Sequence, residues 1–170
     1  MSNKTLKDLN GKWSMNKTDS TDPSPTLEIQ GVNAMIRKAA SMAPVNLDVS
    51  QPSADEIKIK QSTTASIPAI QEEWYPGDHD WREQSDKLLG KVRSRSRWAK
   101  VSELEGFEGF LIEGLSDEDE VIQAEVESVD GGGWKAIQVW CFEGERFVRR
   151  VVTTGGEKRA ETRLVYDLEG

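Results

Sequence analysis

The sequence predicts an all-β (mainly β) fold: an up-and-down antiparallel β-barrel of about ten strands, with a two-helix lid between strands 1 and 2. Three observations predict it. The chain opens strand, helix, helix, strand across Leu9–Ser50. Beyond Ser50 it reads as short strands separated by turns rich in Gly, Asp and Pro. So many strands with only two early helices favour a closed barrel over a sandwich, because closure removes exposed edges.

Each element has its own justification. Residues 1–9 are polar and read as a loose lead-in. Gly11, Trp13 and Met15 alternate with Lys12, Ser14 and Asn16, which makes a half-buried strand with Trp13 inward. Ser24-Pro25 reads as a helix start, Ser as cap and Pro at the first helical position. Leu27–Ile29 is then a short helix ended by Gly31. Asn33 caps the next helix, on which Met35, Ile36, Ala39, Met42 and Ala43 share one face, with Arg37, Lys38 and Ser41 facing away. Pro44 stops it.

Val45–Ser50 and Glu56–Gln61 alternate as a strand pair about a turn at Gln51–Asp55. Ser62–Glu73 continues as strand with an irregularity at Pro68, and Tyr75–Asp78 turns. Trp81–Ser85 and Lys91–Ala99 are strands flanking Leu89-Gly90. Val101–Leu115 carries Phe107, Phe110, Leu111 and Ile112 among glycines and glutamates. The end is a regular meander: Val121–Ser128, Trp134–Phe142, Phe147–Thr153 and Lys158–Asp167, joined by Gly turns.

The totals narrow the function classes. A chain of 170 residues is read as one domain, 1–170, large enough to bury a core. A net charge of −8 argues against unspecific nucleic-acid binding, which needs a basic face. No stretch is long and apolar enough to span a membrane, so no integral membrane association is expected. The single cysteine, Cys141, allows no internal disulfide, and the polar start is not a signal peptide; the expected compartment is the cytoplasm. One histidine, His79, and one cysteine make neither a metal set nor a nucleophile–base pair, and no cofactor motif appears.

Gly11-Lys12-Trp13, Gly31–Lys38 with Met42-Ala43-Pro44, the strand pair Val45–Ser50 and Glu56–Gln61, and the last hairpin Phe147–Tyr166 together resemble the intracellular lipid-binding proteins. These are the fatty-acid-binding protein family, within the lipocalin-like calycin group. The resemblance implies a lidded barrel holding an apolar ligand. It departs at three points. The chain is longer, mostly around Ala99–Glu120. The family's Arg-x-Tyr stands here as Arg163-Leu164-Val165-Tyr166, which puts Arg163 and Tyr166 on opposite strand faces. An inward Arg is absent from Trp134–Phe142, so the fatty-carboxylate clamp is not spelled out.

The resemblance also implies that Trp13 packs at the closed barrel end against Arg163 or Arg159. Arg93, Arg95 and Arg97 share a face opposite Val92, Ser94, Ser96 and Trp98; they form either a solvated outer face or an inward set paired with acids such as Glu72 and Glu83. Trp134, Ala136, Gln138, Trp140 and Phe142 form one stripe, with Thr162, Leu164 and Tyr166 lining the same interior, as core or as pocket wall. The expected ligand-binding residues are Met35, Ile36, Trp74, Trp98, Trp134, Gln138, Trp140, Arg163 and Tyr166. Two functions fit: a carrier of a small hydrophobic molecule (lipid, terpenoid or polyketide), or a cofactor-independent cyclase, isomerase or pericyclase using the same cavity. Glu72, Glu83, Tyr75 and Tyr166 are its available acids and phenols, with no spacing that assigns a catalytic role.

Overall fold

The structure, a computed structural model, describes residues 3–63, 67–104, 106 and 109–169. Among them ten strands form one antiparallel sheet: β1 (Gly11–Met15), β2 (Asn46–Ser53), β3 (Glu56–Ser62), β4 (Ile70–Trp74), β5 (Arg82–Asp86), β6 (Gly90–Lys100), β7 (Glu120–Ser128), β8 (Trp134–Glu143), β9 (Arg146–Gly155) and β10 (Lys158–Leu168). The order is β4-β3-β2-β1-β10-β9-β8-β7-β6-β5, so β1 pairs with β10 and the meander wraps into a nearly closed barrel. Its one seam lies between β4 and β5, where no ladder forms; Gln84 Nε2 donates across it to the Gln71 carbonyl at 3.3 Å. The barrel, its ten strands and the place of the lid are as the sequence predicts. Part of the strand expected over Ser62–Glu73, residues 64–66, lies outside the described residues, as does Phe107.

The lid is α1 (Ser24–Ile29) and α2 (Ala34–Met42), between β1 and β2. Ser24 is the first helical residue rather than the cap, and Asp22 Oδ1 accepts its N–H at 3.0 Å. Gly31, at φ 83°, ends α1, a backbone that a side chain would strain. Asn33 Oδ1 caps α2 by accepting from Ile36 N at 3.0 Å, as expected. The face of α2 is a correction. Met35 is 82% exposed and Met42 75%, while Arg37 folds back to donate to the Val32 carbonyl at 2.8 Å. The reason is that α1, not α2, lies over the barrel: Thr26 and Thr162 hydroxyls meet at 2.5 Å, and Ile29 sits beside Trp134 and Gly155.

The base is plugged. Residues 4–9 are not a loose lead-in: Leu6 and Leu9 are buried, held by Gln51, whose Oε1 accepts from Leu9 N at 2.6 Å and whose Nε2 donates to the Leu6 carbonyl at 2.9 Å. Above them Trp13, Phe142, Phe147, Trp140, Trp74 and Tyr166 pack edge-to-face and stacked, centroids 5.3 to 6.2 Å apart. Trp13 Nε1 donates to the Leu9 carbonyl at 2.9 Å, and its ring meets two phenylalanines. Neither Arg163 nor Arg159 is its partner. Both point outward on β10, Arg163 paired with Glu143 and Arg159 with Glu161.

The surplus residues form a strap on the outside. A 3₁₀ turn (Val101–Leu104) and α3 (Gly109–Ile112) follow β6 and cover β8 and β9. Leu104 and Leu111 press on Val139, Cys141, Val148 and Val152, making a second core outside the barrel wall. Arg150 ties it down by donating to the Glu113 carbonyl and pairing with Glu143. Cys141 lies in this layer, and burial pushes its thiol up to about 11. A thiol reagent at mildly alkaline pH should therefore leave native Cys141 unlabelled and label it fully in denaturant. Rapid native labelling, read by intact mass, would show that the strap does not seal this wall.

Candidate functional site

Period-two alternation brings Glu72 of β4, Gln138 and Trp140 of β8, Arg149 of β9, and Leu164 and Tyr166 of β10 to the barrel interior. A cavity of about 210 Å³ occupies the lid half. Its roof is Thr26 and Leu27 of α1 with the flanking Pro23 and Gln30, and Ala40 of α2. Its walls are mostly apolar, among them Met15, Val45, Ile70, Val92, Val126 and Val151. Ile67 and Pro68 on one side and Leu88 and Leu89 on the other line it beside the seam.

The floor is polar. Arg149, 4% exposed, makes a two-pronged ion pair with Glu72: Nη2 to Oε1 at 2.7 Å and Nη1 to Oε2 at 3.1 Å. Nη2 also donates to Gln138 Oε1 at 3.1 Å, which accepts from Trp140 Nε1 at 2.8 Å. Trp74 Nε1 donates to Glu72 Oε1 at 3.1 Å. The guanidinium stands 4.8 Å over the Trp140 ring. Burial works against the charge on Arg149, but Glu72 outweighs it and raises its pKa. Burial likewise pushes the Tyr166 phenol up to about 12, so it stays protonated as a donor at neutral pH.

Arg149 Nε and, elsewhere on the inner wall, Thr153 Oγ1 and Ser96 Oγ are buried without a hydrogen-bond partner, and the Tyr166 phenol lies beside the Arg149 side chain. Unpaired buried donors are costly.

The residues expected from sequence separate into groups. Trp74 and Gln138 line the cavity. Trp140 and Tyr166 lie beneath its floor, fully buried. Trp134 packs under the lid with Ile29 and Val151. Trp98 faces inward at the base, where Nε1 donates to Asp55 Oδ1 at 2.8 Å, away from the cavity. Met35 is on the outside, Ile36 is half-buried off the cavity wall, and Arg163 is on the outer face. The three arginines of β6 face outward, the solvated reading, pairing with Glu127, Glu125 and Gln123; Arg93 and Arg95 also flank the Trp81 ring. His79 sits at φ 55° in the β4–β5 connection, and burial with nearby Arg95 and Arg97 lowers its pKa. Among the described residues, no His, Cys, Asp and Glu group is arranged to hold a metal. No helix is long and apolar enough to cross a membrane.

The residue sequence reasoning missed is Arg149. An inward Arg does exist, one strand later than the resemblance implies. Its signal is weak because Phe147–Thr153 is buried on both faces, so alternation is lost.

No protein-family model matches the chain. It is 29% identical to the pericyclase pydY of Acremonium sp. over 178 residues, covering 99% of this chain and 95% of that one. It is 32% identical to the probable pericyclase scpY of Mollisia scopiformis over 179 residues, covering 99% and 93%. The chain belongs to their family. The fold of the chain is that of the fatty-acid-binding proteins. The REP1-NXSQ fatty acid transporter superposes with a TM-score of 0.63 at 14% identity over 96% and 97% of the two chains. A Schistosoma mansoni fatty acid binding protein in complex with arachidonic acid gives 0.62 at 12% identity over 98% and 100%. The fluorescent protein UnaG gives 0.62 at 16% identity over 95% and 97%.

Removing Arg149 alone leaves the part-buried Glu72 without its counter-charge. Arg149→Met should cost about 3–5 kcal/mol, and the double variant Glu72→Leu, Arg149→Met should recover most of it. Urea denaturation of wild type and the two variants checks this; equal losses in the single and double variants would contradict the pairing.

Proposed function

We propose that this protein is a cofactor-independent pericyclase. It takes a small hydrophobic molecule, of lipid, terpenoid or polyketide character, under the helical lid and closes a ring within it. The observation that carries the reading is the cavity itself: a largely apolar, lidded space with Arg149, Glu72 and Gln138 as its polar floor. A pericyclic ring closure moves electrons within one molecule and needs no acid, base, metal or redox partner. It needs the reacting ends held close and aligned. It also benefits when a donor draws electron density from a carbonyl conjugated to one of them. The cavity walls suit the first demand and the floor the second. The names of both relatives support the reading. A single buried free cysteine fits action in the cytoplasm.

The rival reading is a carrier that binds the same class of molecule without changing it. The fold of the fatty-acid-binding neighbours supports it. The two separate in the source organism. Deleting the gene of a pericyclase should replace a cyclic metabolite with an acyclic isomer of equal mass, and added protein should convert that isomer in the test tube. An unchanged metabolite profile, with an unreacted host lipid seen bound by native mass spectrometry, would leave the carrier standing.

A further inference from the structure

A lone guanidinium in an apolar barrel is a receptor for a carboxylate, offering two parallel N–H···O bonds and a full opposite charge. Here that place is taken by the chain's own Glu72, at 2.7 and 3.1 Å from Arg149. Gln138 Oε1 holds another proton of Nη2 at 3.1 Å. One proton of Nη1 and the buried Nε remain, and the pair as a whole is neutral. An ionised ligand head reaching this floor would set two carboxylates against one cation in a largely apolar cavity, which neither can repay. A neutral carbonyl meets no such repulsion and leaves the ion pair whole.

We propose that the Glu72–Arg149 pair is the specificity filter of the cavity. It admits apolar molecules whose polar end is a neutral carbonyl, such as a ketone, amide or lactam, and turns away ionised fatty acids. This deepens the function proposed above and rests on its premise that the cavity takes an apolar guest. It also parts this chain from the fatty acid transporter and the fatty acid binding protein that share its barrel. Glu72 stands on β4 at the edge of the seam, so the filter is built from the barrel wall itself.

The test compares a naturally fluorescent conjugated polyene fatty acid with its primary amide, titrated into the delipidated protein. Wild type should bind the amide at least about tenfold more tightly than the ionised acid. In Glu72→Gln, Arg149 faces the cavity without its counter-charge. There the acid should gain about tenfold or more while the amide changes little, so that the preference narrows or reverses. Equal affinity of wild type for acid and amide would overturn the filter, whatever the variant does. The wild-type ratio decides by itself if the variant fails to fold. Binding of neither probe to wild type would instead overturn the premise of an apolar guest, and the filter with it. Preference for the amide in wild type that survives unchanged in a folded Glu72→Gln would place the discrimination elsewhere and also overturn the assignment.

Discussion

The buried ion pair between Glu72 and Arg149 is the constraint around which the interior is arranged. It ties the seam strand β4 to β9 on a different part of the wall, and it marks where the solid half of the barrel ends and the hollow half begins. Below it six aromatic rings and the Leu6–Leu9 plug fill the space. Above it the side chains are shorter and apolar, and room remains. Charges this far from water persist only with near-complete partners. That explains the indole and amide neighbours: Trp74 serves Glu72, Trp140 serves Gln138, and Gln138 serves Arg149. The tryptophans expected to touch a ligand directly thus do much of their work one layer down, holding the groups that face the cavity.

The strap buries this wall from outside, as the barrel core does from inside. In a barrel with a wet outer face, β9 would alternate apolar and polar. Here the sequence Phe147–Thr153 is apolar on both faces, with one arginine on each. Arg149 serves the interior, and Arg150 fastens the strap through Glu143 and the Glu113 carbonyl. Two adjacent arginines with opposite duties are thereby fixed between two cores. Their positions are set by packing from both sides rather than by one.

What was legible in the sequence follows from how many faces each strand exposes to water. β2, β3 and β6 are wet outside; alternation gave the inward residues of β2 and β3, and on β6 it put Arg93, Arg95 and Arg97 on one face without deciding which face is outward. The β8 stripe was legible for the same reason at Trp134 to Gln138. β9 was not, since the strap hides its outer face, and Arg149 went unnoticed beside Arg150. The lid failed differently. An apolar stripe on a helix names a face but not what lies beneath it. Met35 and Met42 satisfy the helical spacing, yet α1 occupies the roof and leaves them outside. Leu6 and Leu9 were hidden by polar neighbours, because a plug of two leucines has no period to detect.

A carrier and a catalyst make different demands on the same barrel. A carrier gains from a compliant interior that fits many chains, and a strong anchor for one end suffices. Ring closure needs the two reacting parts of one molecule referred to a common frame, and a displacement of an ångström is costly. Three features act in that direction. The aromatic base fills the closed end of the barrel. Glu72 already occupies the Arg149 guanidinium. The external strap packs on the wall that bears it. The seam and the roof are tied more sparsely, the seam by the Gln84–Gln71 bond and α1 by the Thr26–Thr162 contact. A well-tied floor under a sparsely tied roof is the division that a chain-folding cavity requires, since the guest must enter freely and then be held in one shape.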